Sequence, residues 1–315
     1  MNPEFAETQT PNMGSGVRKY ALLLLAHGSP ASVDDVPEFL LHVSRGRLLP
    51  SHIVDEVKYR YGLIGRSPLT TIALRQAELV ANKLAIPVYV GMRNWKPFIL
   101  ETVQRMSSHG ISHAVVICLS PHNSRTSIGL YRTALNGNVP FTVDFVDSWH
   151  DHPLLVRAFA QKLRKGWESA CGLAGTEIPI IFTAHSVPKY TITEGDPYEA
   201  QVRETAHLVA QEAGLQPGHW KFAFQSQGMT GGAWLGPTLE DTLLILKADG
   251  HQAVFVQPVG FLCDHVEVLY DIDIAFKQFA EKQEMQVWRP ESLNDSPLLI
   301  EALADLAMTR LTQAP

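Results

Sequence analysis

A chain of 315 residues, 45% hydrophobic and 18% charged, has the composition of a globular protein at a length where one core gives way to two domains. Its formal net charge of −6, with no dense run of Lys and Arg, argues against a nucleic-acid partner, which requires a basic surface. The three cysteines, Cys118, Cys171 and Cys263, are too few and too scattered for a four-thiolate zinc site or iron–sulfur cluster, and they predict a reduced, cytoplasmic protein.

Residues 1–17 are polar, with Pro, Gly, Ser and Thr, and predict a disordered tail. The first apolar run, residues 21–26, is far short of the roughly 20 residues a spanning helix needs, and lacks the layout of a signal peptide. No integral membrane segment is expected. Short aliphatic or β-branched runs predict strands at 20–26, 87–91, 113–120, 141–146, 178–183, 221–225, 253–258 and 285–288. Between them lie helical patterns. In 69–84, Leu69, Ile72, Ala73, Ala77, Val80 and Leu84 fall on one face of a 3.6-residue period, and 196–213 and 237–247 read the same way. Strands alternating with helices predict parallel sheets covered on both faces. Four strands per half give an N-terminal domain at 18–150 and a C-terminal domain at 151–315.

The halves echo one another weakly. The first strand runs into Ala26-His27-Gly28-Ser29-Pro30 and the fifth into Ala184-His185-Ser186-Val187-Pro188. Ligands of open parallel sheets bind beyond the carboxyl ends of the strands, so both histidines are expected at the mouth of an interdomain cleft. Each has an ordinary alternative, as a polar edge residue or a loop cap. The segment 259–273, after the seventh strand, carries Asp264, Glu267 and Asp271. With Asp264 as N-cap, these three sit at i, i+3 and i+7 and share one helix face. A solvated acidic helix start accounts for that spacing equally well. A histidine facing a carboxylate across a cleft is more specific, because the pair can bind a divalent metal and move protons. No GxGxxG follows the first strand, which argues against a dinucleotide enzyme.

Four segments in order carry a family resemblance: Thr183-Ala184-His185-Ser186-Val187-Pro188; Gly195-Asp196-Pro197-Tyr198; Gln225-Ser226-Gln227-Gly228 with Trp234-Leu235-Gly236-Pro237; and 259–273. Together with Arg60-Tyr61 and Ser67-Pro68-Leu69 upstream, they resemble the ferrochelatases over roughly residues 20–311. The resemblance implies two Rossmann-like domains, each a four-stranded parallel sheet flanked by helices, enclosing an interdomain porphyrin cleft. It implies that His185 and Glu267 face the porphyrin centre and the incoming iron. His27, Ser44, Arg60, Tyr61, Ser67 and Tyr131 fall at positions that contact the macrocycle or its carboxylates.

Length, and the lack of an extended apolar lip after Pro30, resemble the soluble bacterial branch that makes iron-coproporphyrin III. That branch implies porphyrin and ferrous iron as substrates, no further cofactor and no iron–sulfur cluster. A monomer in transient contact with the next haem-pathway enzyme is expected. The alternatives are a protoporphyrin IX ferrochelatase, a cobalt chelatase and a tetrapyrrole carrier without chemistry.

Three departures stand out. His27 replaces the branch's usual tyrosine, offering an imidazole as axial ligand to product iron, and His27-Gly28-Ser29 also resembles the opening of the smaller cobalt and sirohydrochlorin chelatases. Ser44 stands where that branch often has arginine, with Arg45 as a substitute. Ala275 interrupts the acidic line, so no outer metal site is expected.

Overall fold

A computed structural model describes residues 18–137, 139–228 and 232–313, and the tail predicted at 1–17 lies outside them. Eight strands form within about two residues of their predicted places: β1 Tyr20–Ala26, β2 Val88–Met92, β3 His113–Cys118, β4 Thr142–Val146, β5 Ile180–His185, β6 Trp220–Gln225, β7 Ala253–Pro258 and β8 Gln286–Trp288. They pair in parallel as two four-stranded sheets, ordered β2-β1-β3-β4 and β6-β5-β7-β8. The same order therefore occurs twice, and the echo between the halves is one of topology as well as sequence.

Helices cover both faces of each sheet, which explains why the central strands read as unbroken apolar runs: Leu22 to Leu25 and Ala114 to Ile117 are fully buried. The first half contributes α1 Val36–Val43, α2 Ser51–Ile64, α3 Leu69–Leu84, α4 Ile99–Ser108 and α5 Ile128–Leu135. The second contributes α6 Pro153–Ala174, α7 Lys189–Thr193, α8 Tyr198–Ala213, α9 Leu239–Ala248, α10 Val266–Leu269, α11 Lys277–Lys282 and α12 Pro297–Gln313. One π-helical turn, Asp271–Phe276, joins α10 to α11. α8 starts two residues after its predicted position because Asp196 accepts the Tyr198 backbone N–H at 3.0 Å and so caps the helix. α9 starts late for a similar reason, with Thr238 accepting from the Asp241 N–H at 3.0 Å.

A division after residue 150 separates the two sheets but not their core. A single buried cluster runs from Leu24 and Val115 of the first sheet through Phe159 of α6 to Phe182 and Phe255 of the second. α12 closes it, packing on α3 and β3 of the first half and on α6 of the second. Across the same junction, Gln76 Nε2 donates to the Asn294 carbonyl at 2.5 Å.

Candidate active site

Both sheets change direction beside their first strand, β1 against β3 and β5 against β7. At such switch points the loops diverge and leave a crevice. His27 follows β1 directly. His185 is the last residue of β5, paired with Gln225 of β6, so the strand runs two residues past its predicted end and carries the histidine on the ladder itself.

The two rings are held alike. Each donates Nδ1–H to the carbonyl of the next residue, His27 to Gly28 at 3.0 Å and His185 to Ser186. A carbonyl can only accept, so this bond fixes a proton on Nδ1 and leaves Nε2 to face other partners. Tyr198 Oη anchors the backbone here, donating to the His185 carbonyl at 2.9 Å.

Glu267 reaches His185 because the β7–α10 connection passes hard against the end of β5. A Cβ on Gly260 would stand 2.8 Å from Ala184 Cβ and 3.0 Å from Ala184 Cα. Only glycine allows this approach. Glu267 Oε1 then lies 3.6 Å from His185 Nε2, and its other oxygen, Oε2, lies 3.5 Å from His265 Nε2. The His185 and Glu267 side chains remain 30% and 39% exposed, so a ligand in the cleft can touch both.

The electrostatics follow from this contact. Burial by itself would raise the pKa of Glu267, but His185 and then His265 outweigh it and hold the carboxyl well below its usual range. Burial likewise works to lower the pKa of His185, and Glu267, helped by Ser186 and Asp271, raises it instead. Both shifts favour the imidazolium–carboxylate form of the pair. The charge of Glu267 is also felt at His27 and Tyr61 of the first half, as well as at Tyr198 of its own half, so it lies near the junction of the two.

The predicted row of three acids does not form. His265, not Asp264, is the N-cap of α10, in an extended conformation. Asp264 is turned away, accepting from Ser292 at 2.8 Å and Asn294 at 2.9 Å and pairing with Arg289 at 3.1 Å. Arg289 also pairs with Asp273 at 2.5 Å, so it fixes the segment on both sides of Glu267. Asp271, in the π turn, stays at the site: Ser226 Oγ donates to it, and Arg60 of α2 lies 3.5 Å away, bridging the halves. π turns recur where a helix must re-aim a side chain.

The remaining predicted residues are distributed as follows. Arg60 also pairs with Glu56 at 2.9 Å and stacks over Tyr270. Tyr61 is buried and hydrogen-bonded to Ser29 at 3.1 Å. Ser67 is buried with its hydroxyl unpartnered among the described residues. Tyr131 is buried in α5 beneath Arg93. Ser44 spends its hydroxyl on the Leu41 carbonyl at 3.2 Å and on the Arg47 carbonyl, closing the end of α1. Arg45 is exposed in a left-handed turn with φ of 56°.

His27 is exposed on one side and packs edge-on against Phe39, with ring centroids 5.9 Å apart. That packing, with Arg93 nearby, pushes its pKa down to about 4, so the ring is neutral. Asn94, which the sequence reading overlooked, donates its amide to His27 Nε2 at 2.9 Å. His265 was overlooked as well, because a residue two positions from Glu267 faces it only if the intervening backbone is extended.

Known proteins bear on this geometry. The family description that matches the chain is Ferrochelatase, over residues 19–311. The chain belongs to the ferrochelatase family. Such enzymes insert iron into porphyrin in haem synthesis, and this chain is one of them. A ferrochelatase of Acidobacterium capsulatum is 49% identical to it over 308 residues, spanning 92% of this chain and 94% of that one. A coproporphyrin III ferrochelatase of a Geobacillus species is 36% identical over 310 residues, spanning 93% and 98%. Among solved structures, the cobalt complex of the sirohydrochlorin chelatase SirB from Bacillus subtilis subspecies spizizenii resembles the enzyme with a TM-score of 0.57. That likeness spans 92% of this chain and 94% of that one at 12% identity, and so speaks for a shared fold alone. No described helix of the enzyme is long and apolar enough to cross a membrane.

Proposed function

We propose that this ferrochelatase acts on coproporphyrin III, with Glu267 drawing in ferrous iron and His185 accepting the pyrrole protons. The observation that carries the division of labour is the 3.6 Å contact between His185 Nε2 and Glu267 Oε1 in a cleft open to ligand. Iron arriving at Glu267 takes over the negative charge that keeps His185 protonated. Burial then favours the neutral ring, and its proton leaves to solvent. The freed Nε2 lone pair can take one pyrrole proton as the metal enters the ring, pass it to solvent, and then take the second. The Nδ1–H bond to Ser186 keeps the ring aimed throughout. His27, whose Nε2 is capped by Asn94, can hold product iron only after the amide is displaced.

Two observations favour coproporphyrin. Several relatives near 35% identity over more than nine-tenths of the chain carry the name coproporphyrin III ferrochelatase. Four propionates also need more cationic and hydroxyl partners than two. Of the residues the resemblance names, Arg45 is exposed and uncommitted, whereas Arg60 is paired with Glu56 and Asp271, and Tyr61, Ser67 and Tyr131 are buried. Turnover with ferrous iron is to be measured side by side for coproporphyrin III and protoporphyrin IX. The expected kcat/KM ratio is about tenfold or more in favour of coproporphyrin, the worth of one additional charge-assisted contact. Preference for protoporphyrin would reject the substrate, and stoichiometric binding without turnover would make the protein a carrier.

The ion pair also sets a pH dependence. The reactive base is neutral His185, whose pKa in the resting pair is raised above the ordinary 6.5. Its proton is therefore lost, and activity gained, as pH rises through a value above 6.5. In Glu267→Gln the largest raising influence is gone and burial works against Ser186 and Asp271 only, so the His185 titration should move down from its position in the parent. NMR titration of the His185 ring in both proteins checks this; an unmoved midpoint would mean Glu267 does not control the proton.

A further inference from the structure

Arg93 follows β2, and its backbone N–H donates to the Ala26 carbonyl at 3.0 Å, which fixes it beside the end of β1. Its guanidinium lies 5.4 Å over the ring of Tyr131. Nε and Nη1 are buried and have no hydrogen-bond partner among the described residues. Burial keeps the neighbouring Tyr131 hydroxyl and Cys118 thiol neutral, so the charged group acting on it is Arg45, a second cation.

Two other guanidiniums, those of Arg289 and Arg60, are compensated. Arg289 has Asp264 and Asp273, and Arg60 has Glu56 and Asp271. A half-buried cation with no counter-charge and a second cation nearby is unfavourable, and burial with Arg45 lowers its pKa accordingly. Such an arrangement is relieved when an anion arrives. Tyr131 stacks against its plane, and the strand-end hydrogen bond holds its stem, so the guanidinium is placed before any anion arrives. Arg93 is also close enough to His27 to depress that ring's pKa, so the unpaired charge borders the cleft.

We propose that Arg93, stacked on Tyr131 and backed by Arg45, is the receptor for one carboxylate of the porphyrin substrate and a positioning residue for metal insertion. This rests on the reading that a carboxylate-bearing porphyrin occupies the cleft. A guanidinium suits the task because it offers two parallel N–H donors to one carboxylate.

The test uses Arg93→Met, which keeps an apolar stem over Tyr131 without the charge, and Arg93→Lys, which keeps the charge without the fork. Binding is read by fluorescence quenching with coproporphyrin III and with its tetramethyl ester. Arg93→Met should weaken binding of the acid by about 10-fold to 100-fold, as expected for a lost charge-assisted pair, and leave the ester within about twofold. Arg93→Lys should recover part of the loss, KM should rise more than kcat falls, and the melting temperature without porphyrin should hold or increase. Equal weakening for acid and ester, or a lowered melting temperature with unchanged acid affinity, would make Arg93 a structural residue and overturn the proposal. Failure of the parent to turn over any porphyrin would reject the functional reading instead, because the acid-to-ester ratio is measured without turnover.

Discussion

Replacing His185 with alanine should lower kcat for iron insertion by about 10³-fold, within the range expected for loss of a positioned general base. Porphyrin affinity should stay within about threefold, because the ring is gripped mainly at its periphery. The argument is geometric. Nε2 of His185 is directed at Glu267 by a hydrogen bond from the opposite nitrogen, and both side chains are reachable from the cleft. His265 touches the far oxygen of Glu267 and is held in the same way, by Nδ1 on the Cys263 carbonyl at 3.0 Å, but its side chain is only 12% exposed, so it is a poor substitute. Fold integrity should survive, since the ring fills cleft space rather than core. The measurements are single-turnover insertion and porphyrin fluorescence titration on one preparation. Parent-like insertion by His185→Ala would remove this histidine from the chemistry.

Gly260→Ala should be nearly as damaging although it touches no reacting atom. The added methyl would meet Ala184 Cβ at 2.8 Å and the β5 backbone at 3.0 Å, contacts that no rotamer change relieves. The connection must back away, and α10 with it, which lengthens the gap between Glu267 and His185. Displacement of about 1 Å in such a pair costs on the order of 10²-fold in rate. Overpacking should also cost roughly 1–3 kcal/mol of stability. Activity and denaturant unfolding on the same variant test both parts. A stable, fully active protein would show that the approach at Gly260 does not set the spacing.

The sheets were legible because strands buried on both faces leave continuous apolar runs, and the helix 69–84 because its stripe keeps a strict period. His185 and Glu267 were legible through ordered motifs. What escaped depends on contacts made between segments remote in sequence. Arg93 and Asn94 matter because β2 lies beside β1, and nothing around them in sequence says that one will be unpaired and the other will cap a histidine. The acidic row failed on phase. It assumed a regular helix from Asp264, whereas α10 begins after His265 and the following turn is π, with the Ala275 N–H bonded to the Tyr270 carbonyl at 2.8 Å. Asp264 thereby became a partner of Arg289 rather than a neighbour of Glu267.

The position of α12 has a consequence for how the molecule comes into being. It comes latest in the chain among the described helices, yet Leu299, Ile300 and Leu303 plug the seam shared by both sheets, each worth roughly 1.5–3 kcal/mol when buried. Neither half can finish folding ahead of the other during synthesis. A protease cut just before Pro297 should therefore silence the catalyst from afar, dissolving the alignment of a histidine and a glutamate that it never touches.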